Sequence, residues 1–496
     1  MFLCQKPRIL ARATTATAGR SFRQRHNVAV VSLSHFSSFS KESVTTKVSP
    51  IVNHGPHGSG GTVVGFSKHD GVREAFEENF ARRLELGSQL VVYEKGEKII
   101  DLYGYAPEME GYDGDTLQGV YSSGKNMEAI AMAMLVDRGL VSYDDLVTKH
   151  WPEFGANGKD TITIADVMRH SGGVPFIVDC DPETYPDVAI TITQKDVRNG
   201  IEPLEEKICA SGKYPPPSHP GMMYHAHTRG WLVNGILRRV DPSGRSLGHF
   251  MKEEIVDPLS GVGDEVKFFN GISMEDQKNY KFANSSLGNP IYNGTVEIFP
   301  SLLGFGDQCT AELAKMPLIK DVRRGLLNAT KWDDNPLKSL YFPDTPEGRA
   351  MEYSSVGMVA NARSMAIVNA TTMAGDGSFN GVRILSKEAV SNSMGGIESG
   401  VDFAAQNSLS FSRGGYGSFN DMLQDFGSHQ TRVYHPDDVA AYRNLMGWFG
   451  VSGSQSLVDR EREVAIAYCN NAFGFNLLGG PRTRRILLEL QNAMAE

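Results

Sequence analysis

The sequence predicts an α+β fold, in which both ends of the chain build one antiparallel sheet and the middle forms a mostly helical lobe. Two observations predict it. Residues 72–103 have the pattern of a helix followed by a β-hairpin, and residues 456–490 have that of a hairpin followed by a helix. Between them the pattern is helical and irregular, without internal repeats. We therefore expect the two hairpins to share a sheet that the terminal helices cover.

At the first end, apolar residues recur every four positions from Val72 to Leu84, which is the spacing of one face of a helix. Gly87 follows and is predicted to cap the C-terminus of this helix. Two apolar stretches, residues 90–93 and 99–103, then predict a hairpin with a glycine in its turn.

At the other end, residues 456–458 and 464–468 predict a second hairpin across a charged turn. A helix is predicted to start at about Pro481, because proline is favoured in the first turn, and to run to the C-terminus. Residues 260–350 are rich in glycine, asparagine and proline and predict mostly loop. The shape of a substrate pocket is expected to depend on that region and on residues 395–445.

The first 41 residues contain seven Lys and Arg and no Asp or Glu, although the whole chain has a formal charge of -9. A basic, Ser/Thr-rich and acid-free leader is typical of a mitochondrial transit peptide. Residues 1–47 are predicted to be this transit peptide and a disordered lead-in, residues 48–71 a flexible linker, and residues 72–490 the folded domain. A chloroplast transit peptide has the same composition, and a disordered tail is a further alternative.

Composition argues against several functional classes. With 58 Asp and Glu against 49 Lys and Arg, no nucleic-acid partner is expected, because phosphate binding needs clustered basic residues. The longest apolar stretch, residues 129–136, is too short to span a membrane. The five cysteines lack metal-site spacing and are expected to be reduced, so neither a disulfide framework nor a zinc site is predicted.

Residues 121–126, Tyr-Ser-Ser-Gly-Lys-Asn, precede an apolar helical stretch and contain a candidate nucleophile. If a helix begins at Ser122, Lys125 lies about one turn further on and on the same face. A buried lysine near a helix N-terminus loses its proton readily, so its amine can accept the proton of a serine hydroxyl. The alternative is an N-cap serine beside a solvated lysine, because Ser-x-x-Lys alone is a frequent chance match.

The Ser-x-x-Lys motif is one of a series of motifs along the chain. They lie at residues 91–104, 121–125, 135–142, 151–154, 164–175, 220–231, 357–366, 381–390 and 449–471. Their order resembles the serine beta-lactamase-related family, which includes class C beta-lactamases, penicillin-binding-protein-like esterases and the mitochondrial beta-lactamase-like proteins of animals. The resemblance covers about residues 72–490. It implies the beta-lactamase/penicillin-binding-protein-like transpeptidase fold, with a helix-flanked antiparallel sheet and a mostly helical lobe.

The resemblance implies a role for each matched residue. Ser122 matches the nucleophile that becomes acylated, Lys125 matches its base, and Tyr224 matches the tyrosine that moves protons between nucleophile, leaving group and water. The backbone N–H groups of Ser122 and Ser454 match the oxyanion hole. The implied function is that of a serine hydrolase that forms an acyl-enzyme and needs no metal or organic cofactor.

Two motifs depart from the family. Ala226 stands where beta-lactamases have the asparagine of Tyr-x-Asn, and Val451, Ser452 and Gly453 stand where they have Lys-Thr-Gly or His-x-Gly. Both lost groups recognise substrate, and a valine cannot pair with a substrate carboxylate. The expected substrate is a small-molecule or peptide-like ester or amide without that carboxylate, and efficient beta-lactam hydrolysis is not expected. The rival interpretation is a catalytically weak or inactive beta-lactamase-like structural protein that self-assembles in mitochondria.

Three histidines lie in these motifs. His225 and His227 flank Ala226 and are predicted to line the pocket or to be structural, because no carboxylate or cysteine accompanies them as a metal ligand. His170, in the turn His-Ser-Gly-Gly, is predicted to hold the helical lobe against the sheet. The predicted substrate-pocket residues are His225, Ala226, Val451, Ser452 and Gly453.

Overall fold

The structure, a computed structural model, describes the chain from residue 51 onwards in several segments. All of them belong to one compact unit, Val48–Glu496. The predicted transit peptide, residues 1–47, lies outside the described residues. The described residues are 51–54, 66–175, 177, 201–213, 222–261, 265–287, 341–402, 408–424, 436–473, 478 and 480–495.

The described strands are β1 (Ile51–His54), β2 (Gly87–Glu94), β3 (Glu97–Tyr105), β4 (Gln118–Gly119), β5 (Phe268–Phe269), β6 (Ser286–Leu287), β7 (Val359–Ala360), β8 (Ser378–Phe379), β9 (Val382–Arg383), β10 (Glu398–Val401), β11 (Ser408–Phe411), β12 (Gly417–Ser418), β13 (Leu445–Phe449), β14 (Gln455–Asp459), β15 (Val464–Asn470) and β16 (Ala472–Phe473). Nine of them form one sheet in the order β1-β3-β2-β15-β14-β13-β12-β11-β10. At its centre β2 and β15 pair antiparallel, from Ser88 with Asn470 to Glu94 with Val464. Both ends of the chain build this sheet, so the predicted α+β class and both predicted hairpins are confirmed.

The central strands are buried on both faces, which explains their nearly continuous apolar sequence. Successive side chains of a strand point to opposite faces. Leu90 and Val92 of β2 lie in one apolar core, whereas Val91 and Tyr93 lie in another on the opposite side of the sheet. The sheet therefore separates two cores.

The described helices are α1 (Phe66–Ala81), α2 (Lys125–Asp137), α3 (Val147–His150), α4 (Ile164–Met168), α5 (Ile201–Ala210), α6 (Arg229–Val240), α7 (Leu247–Met251), α8 (Asp257–Ser260), α9 (Pro346–Arg349), α10 (Ala362–Asn369), α11 (Lys387–Met394), α12 (Phe419–Gln424), α13 (Pro436–Ala441) and α14 (Gly480–Ala495). The terminal helices α1 and α14 pack against each other, and their apolar residues lie in one core. The other core contains α2, α4 and α6, which form the helical lobe predicted for the middle of the chain.

The first helix differs from its prediction at both ends. It begins at Phe66 instead of residue 72, and Arg83 in the left-handed region (φ 57°) follows its last turn. Gly87, predicted to cap it, is instead the first residue of β2. A glycine is required there because a Cβ would lie 2.8 Å from the ring of Tyr112, so the position reflects close packing and not helix termination.

Two regions predicted to be irregular contain some regular structure. Within the predicted linker, residues 48–71, β1 pairs with β3 and α1 has already begun. Within residues 260–350, the described parts contain only two-residue strands, short 3₁₀ turns, the last residue of α8 and the four-residue helix α9. The prediction of a loop-rich segment is therefore supported in the part that the structure describes.

Candidate active site

Ser122 lies in a tight turn that leads into α2. Tyr121–Gly124 form a 3₁₀ turn, and the α-helix starts at Lys125 and not at the serine. The chain enters the turn through Tyr121, whose φ of 48° is unusual for an aromatic residue and marks a constrained backbone. Ser123 and Gly124 are buried with Tyr121, whereas Ser122 is partly exposed. The turn thus leaves the Ser122 hydroxyl accessible.

The Ser122 hydroxyl contacts both residues predicted to move protons. Its Oγ lies 3.2 Å from Nζ of Lys125 and 2.9 Å from the phenolic Oη of Tyr224. Tyr224 is far away in sequence and comes from the segment that precedes α6. The fold therefore brings together the three side chains that the sequence predicts to break the substrate bond.

Lys125 is fully buried, and oxygen atoms surround its amine. Besides contacting Ser122, the Nζ atom donates to the carbonyl oxygen of Ala226 at 2.9 Å and to that of Ser355 at 2.7 Å. Burial lowers the pKa of Lys125 to about 7. A neutral amine has two N–H groups for these two carbonyls, so its lone pair can face the Ser122 hydroxyl. The surroundings thus favour the form that a general base needs.

Tyr224 is held by its ring and by its backbone. The ring stacks on Trp448 with centroids 5.6 Å apart, and the backbone N–H donates to the carboxylate of Asp402 at 2.8 Å. Nζ of Lys125 lies 5.2 Å from the centre of the Tyr224 ring. Burial raises the pKa of Tyr224 above its usual value. The phenol therefore keeps its proton at neutral pH and can donate it to a leaving group.

The predicted oxyanion donors lie on two turns that are bonded to each other. Among the described residues, the backbone N–H groups of Ser122 and Ser454 have no protein acceptor. Oγ of Ser454 donates to the carbonyl oxygen of Val120 at 2.7 Å and lies 2.9 Å from Oγ of Ser123. These bonds tie the turn between β13 and β14 to the nucleophile turn, which is what a two-part oxyanion hole needs.

The segment that replaces the third motif is held through its backbone. The carbonyl oxygen of Ser452 accepts from Asn470 at 2.9 Å and from Arg482 at 3.2 Å, and Gly453 has a φ of 106°. Ser452 and Gly453 are buried, whereas Val451 is partly exposed. Of these three predicted pocket residues, Val451 alone has a side chain that a substrate could reach, and that side chain is apolar.

Ala226 and His225, also predicted to line the pocket, have different surroundings. Ala226 is partly exposed, and its carbonyl holds the Lys125 amine. His225 is fully buried: Nε2 accepts from the N–H of Val174 at 3.0 Å, and Nδ1 lies 2.7 Å from the carbonyl oxygen of Met223. Burial lowers the pKa of His225 to about 3, so its ring is neutral. Of the two roles predicted for His225, the structure supports the structural one and not the pocket-lining one, because backbone groups contact both ring nitrogens.

His170 supports the segment that carries Tyr224. It is buried, with a φ of 66°, and its Nδ1 accepts from the backbone N–H of His225 at 2.9 Å. Its ring centre lies 4.8 Å from that of Tyr224. His227 has a different partner, because its Nδ1 is hydrogen-bonded to Oη of Tyr353. The His-Ser-Gly-Gly turn therefore supports Tyr224 directly, a more specific structural role than the predicted one.

Several residues that support Lys125 were not predicted from the sequence. Glu128 and Arg229 form a fully buried ion pair at 2.8 Å, and Ser355 supplies the carbonyl that holds the lysine amine. A weak signal exists for the pair, because each is a charged residue at the start of a helix, directly before a largely apolar stretch. Ser355 and Trp448 have no such signal, because only the tertiary fold brings them to the site.

No group of three or more His, Cys, Asp or Glu side chains is placed to hold a metal ion within the part of the chain that the structure describes. Over the same residues, no helix combines the length and the apolar character that crossing a membrane requires. Cys209 and Cys469 are both unpaired thiols.

Comparison with known proteins identifies the family. The Beta-lactamase family model matches residues 73–491, so the chain belongs to the beta-lactamase family and is a serine hydrolase. The esterase/beta-lactamase LipL of Mycobacterium tuberculosis is 26% identical over 415 residues, which are 81% of this chain and 80% of that protein. The predicted family resemblance is confirmed.

Solved structures confirm the fold. A penicillin-binding protein homologue from Caulobacter crescentus superposes with a TM-score of 0.63 at 23% identity, over 86% of this chain and 97% of that chain. A family VIII carboxylesterase superposes with a TM-score of 0.62, also at 23% identity, over 85% and 96% of the two chains. The predicted transpeptidase-like fold therefore covers nearly all of both relatives.

Proposed function

We propose that this hydrolase cleaves a small-molecule or peptide-like ester or amide through an acyl-enzyme on Ser122, with Lys125 as the base and Tyr224 as the acid. One observation carries the proposal: a single accessible hydroxyl contacts both a buried lysine amine and a partly buried phenol. This arrangement supports catalysis over the structural alternative, because self-assembly alone does not require a lysine of lowered pKa beside a serine.

In the first step, Oγ of Ser122 attacks the substrate carbonyl carbon while its proton moves to Nζ of Lys125. The backbone N–H groups of Ser122 and Ser454 donate hydrogen bonds to the substrate oxygen, on which negative charge develops. As the tetrahedral intermediate collapses, Tyr224 protonates the leaving alcohol or amine, and the lysine ammonium returns a proton to the phenolate. The enzyme then holds the acyl group as an ester of Ser122.

Water completes the cycle. It attacks the acyl carbonyl carbon, its proton passes to the same Lys125 and Tyr224 pair, and Ser122 regains its own proton as the acid product leaves. The reaction consumes one water for each bond cleaved. No metal or organic cofactor is needed for either half, because the side chains supply both proton transfers.

The substrate that we propose lacks the carboxylate by which beta-lactams are anchored. Val451 offers no positive charge to that group, and Ala226 offers no amide to an acylamide side chain. The name of the relative LipL includes esterase activity, and one structural relative is a carboxylesterase. Both names support an ester substrate, and the side chains at 226 and 451 disfavour efficient beta-lactam hydrolysis.

Labelling and turnover together test the proposal. The purified protein is exposed to a fluorophosphonate and analysed by intact-mass spectrometry, while hydrolysis of a short-chain nitrophenyl ester is followed in parallel. We expect one label per chain and measurable turnover, both absent in Ser122→Ala. A folded wild type that is not labelled by the fluorophosphonate and does not hydrolyse the ester would contradict the mechanism. Self-association of both wild type and Ser122→Ala would then favour the structural alternative.

We also propose that residues 1–47 direct the chain to mitochondria. The support is compositional: a basic, acid-free leader suits import driven by a membrane potential. A fusion of residues 1–47 to a fluorescent protein is expected to reach mitochondria, and the same fusion with its arginines changed to glutamine is expected to remain in the cytosol. Import of the wild-type fusion into chloroplasts, or its diffuse distribution, would contradict this.

A further inference from the structure

A buried ion pair that the proposed mechanism does not use lies directly behind Lys125. Nε of Arg229 donates to Oε2 of Glu128 at 2.8 Å, and both side chains are fully buried. Glu128 is one turn after Lys125 in α2, and Arg229 is the first residue of α6. The pair therefore links the helix that carries the base to the segment that carries Tyr224.

Hydrogen bonds connect both members of the pair to the lysine. Nη2 of Arg229 donates to the carbonyl oxygen of Lys125 at 2.7 Å. Oε1 of Glu128 accepts from the hydroxyl of Ser355 at 3.0 Å, and the carbonyl oxygen of Ser355 accepts from the Lys125 amine. Gly230 allows this approach, since a Cβ there would lie 2.6 Å from Oε1 of Glu128. The bonds form a closed ring from the lysine amine back to the lysine carbonyl.

Stability alone does not account for a pair in this position. Removing two charges from water costs free energy that their attraction rarely exceeds, so a buried pair is weak as a source of stability. A pair at the base does have an electrostatic consequence. Glu128 raises the pKa of Lys125 and Arg229 lowers it, so the two charges oppose each other and burial determines the direction of the shift.

Other titratable groups near the lysine are uncharged at neutral pH. Tyr224 has a raised pKa and stays protonated. Burial lowers the pKa values of His170, His225 and His227, so their rings are neutral. Glu128 and Arg229 are thus the charged groups through which the surroundings act on the amine, among the residues that the structure describes.

We propose that Glu128 and Arg229 are positioning residues that orient the Lys125 amine towards Ser122 and, by opposing each other's charge, leave burial to keep the amine neutral. The inference rests on the proposed acyl-enzyme mechanism, because only a lysine acting as a base needs both properties. The ring fixes the orientation through Ser355 and the lysine carbonyl. The charge of Arg229 opposes that of Glu128 at the amine, so burial remains the dominant influence and leaves the amine unprotonated.

The pH dependence of kcat/KM for a nitrophenyl ester tests the inference. In wild type, the rate falls on the acid side as Lys125 becomes protonated. Glu128→Gln keeps the shape of the side chain but leaves the positive charge of Arg229 unopposed, so the acid limb should move to lower pH by about one unit. Adding Arg229→Met removes both charges and should move the limb back towards its wild-type position. kcat should fall in both variants because the ring of hydrogen bonds is weakened.

A control ion pair joins α5 to the helix that begins with Arg229. Glu205 pairs with Arg239 at 2.9 Å near the other end of α6, away from the described site, and Glu205→Gln should leave the pH profile unchanged. The double variant has no uncompensated buried charge, so it keeps the test valid if Glu128→Gln alone fails to fold.

The outcomes separate the two hypotheses. A wild type with no turnover and no fluorophosphonate label would contradict the mechanism itself. A wild type with a clear acid limb that Glu128→Gln leaves in place would overturn the positioning role and leave the mechanism intact. A limb that moves in Glu128→Gln and returns in the double variant would support the inference, because a merely structural pair would lower stability or kcat without shifting the limb.

Discussion

The two sides of Ser122 are built differently. On one side, defined side chains contact its hydroxyl: Lys125, with a pKa lowered by burial, and Tyr224, with a pKa raised by it. On the other side, the turn of residues 451–454 is held by its backbone and by the Ser454 hydroxyl, and the side chain at 451 is an apolar residue in place of the family's cation. Proton transfer thus depends on particular side chains, whereas an oxyanion hole made of backbone N–H groups tolerates a change of side chain.

The backbone side is supported from behind. Arg482 donates to the carbonyl oxygen of Ser452 and also to that of Ala472 at 2.6 Å, and it lies 3.3 Å from the carboxylate of Glu85. Arg482 belongs to α14, so the terminal helix fixes this turn without taking part in proton transfer. The turn can therefore keep its shape while its substrate-facing residue varies.

The largest effect is expected from Ser122→Ala, which removes the chemistry and leaves the backbone side untouched. kcat for an ester should fall by on the order of 10³–10⁶-fold, because only binding and the oxyanion donors remain. The unfolding temperature should hardly change, because Ser122 is partly exposed. Steady-state kinetics and thermal unfolding check this, and turnover within tenfold of wild type would contradict it.

Lys125→Met should lower kcat/KM by about 10²–10⁴-fold, the usual contribution of a general base. It should also raise stability at pH 7. The lysine pKa is about 7 in the folded state and 10.5 in the reference state, so the unfolded chain binds more protons between these values and stability increases with pH over that window.

Thermal unfolding of Lys125→Met at two pH values checks the second part. The variant should unfold at a higher temperature than wild type at pH 7, and the difference should shrink as pH approaches 10. Lys159→Met is the control. This lysine is also buried, its amine donates a hydrogen bond to the carbonyl oxygen of Ala156, and its loss should leave kcat unchanged. Equal losses of activity in the two variants would show that general destabilisation, not the loss of a base, explains the effect.

Gly453→Ala tests the backbone side. The φ of 106° disfavours any side chain, and a Cβ would lie 2.7 Å from Nη2 of Arg482, so the turn must shift. We expect kcat to fall by about 10²-fold, the usual effect of losing one oxyanion donor, with a smaller change in KM. Gly96→Ala is the control, because Gly96 also has a positive φ (81°) but open space around it. Equal effects of the two changes on kcat would contradict the role of the 451–454 turn.

The smallest effect is expected from Val451→Lys, which restores a cation at the position where the family has one. KM for esters that carry a carboxylate should fall by about tenfold, as one charge-assisted hydrogen bond predicts, whereas KM for neutral esters should not change. Competition between matched neutral and acidic esters measures the difference. An equal change for both substrates would show that residue 451 does not contact the recognition group.

The sequence predicted the elements that depend on local pattern. Apolar stretches beside turn residues located both hairpins, a four-residue apolar repeat located the first helix, and Pro481 indicated the start of the last helix. Gly87 was misassigned because a glycine required by close packing against Tyr112 looks the same in sequence as a helix cap. The order of the motifs identified Ser122, Lys125 and Tyr224, and the structure shows that their side chains are in contact.

The sequence could not predict which side chains are buried or which distant residues they contact. His225 looks like a pocket residue, yet its ring bonds two backbone groups in the core. Glu128 and Arg229 come from different helices, and their pairing is visible only once the helices pack. Their neighbour Ser355 acts through its backbone carbonyl, which no side-chain motif records. Contacts between distant segments therefore set the site's electrostatics.

The central claim is that a neutral Lys125 activates Ser122, and the pH dependence of fluorophosphonate labelling tests it most directly. The labelled residue is identified by peptide mass spectrometry, and the labelling rate is measured from pH 5 to 9 for wild type and Lys125→Met. We predict a label on Ser122 and a rate that falls below about pH 7 as Lys125 gains a proton, with no such inflection in the variant. A label on another residue, or an inflection near pH 7 that persists without the lysine, would contradict the claim.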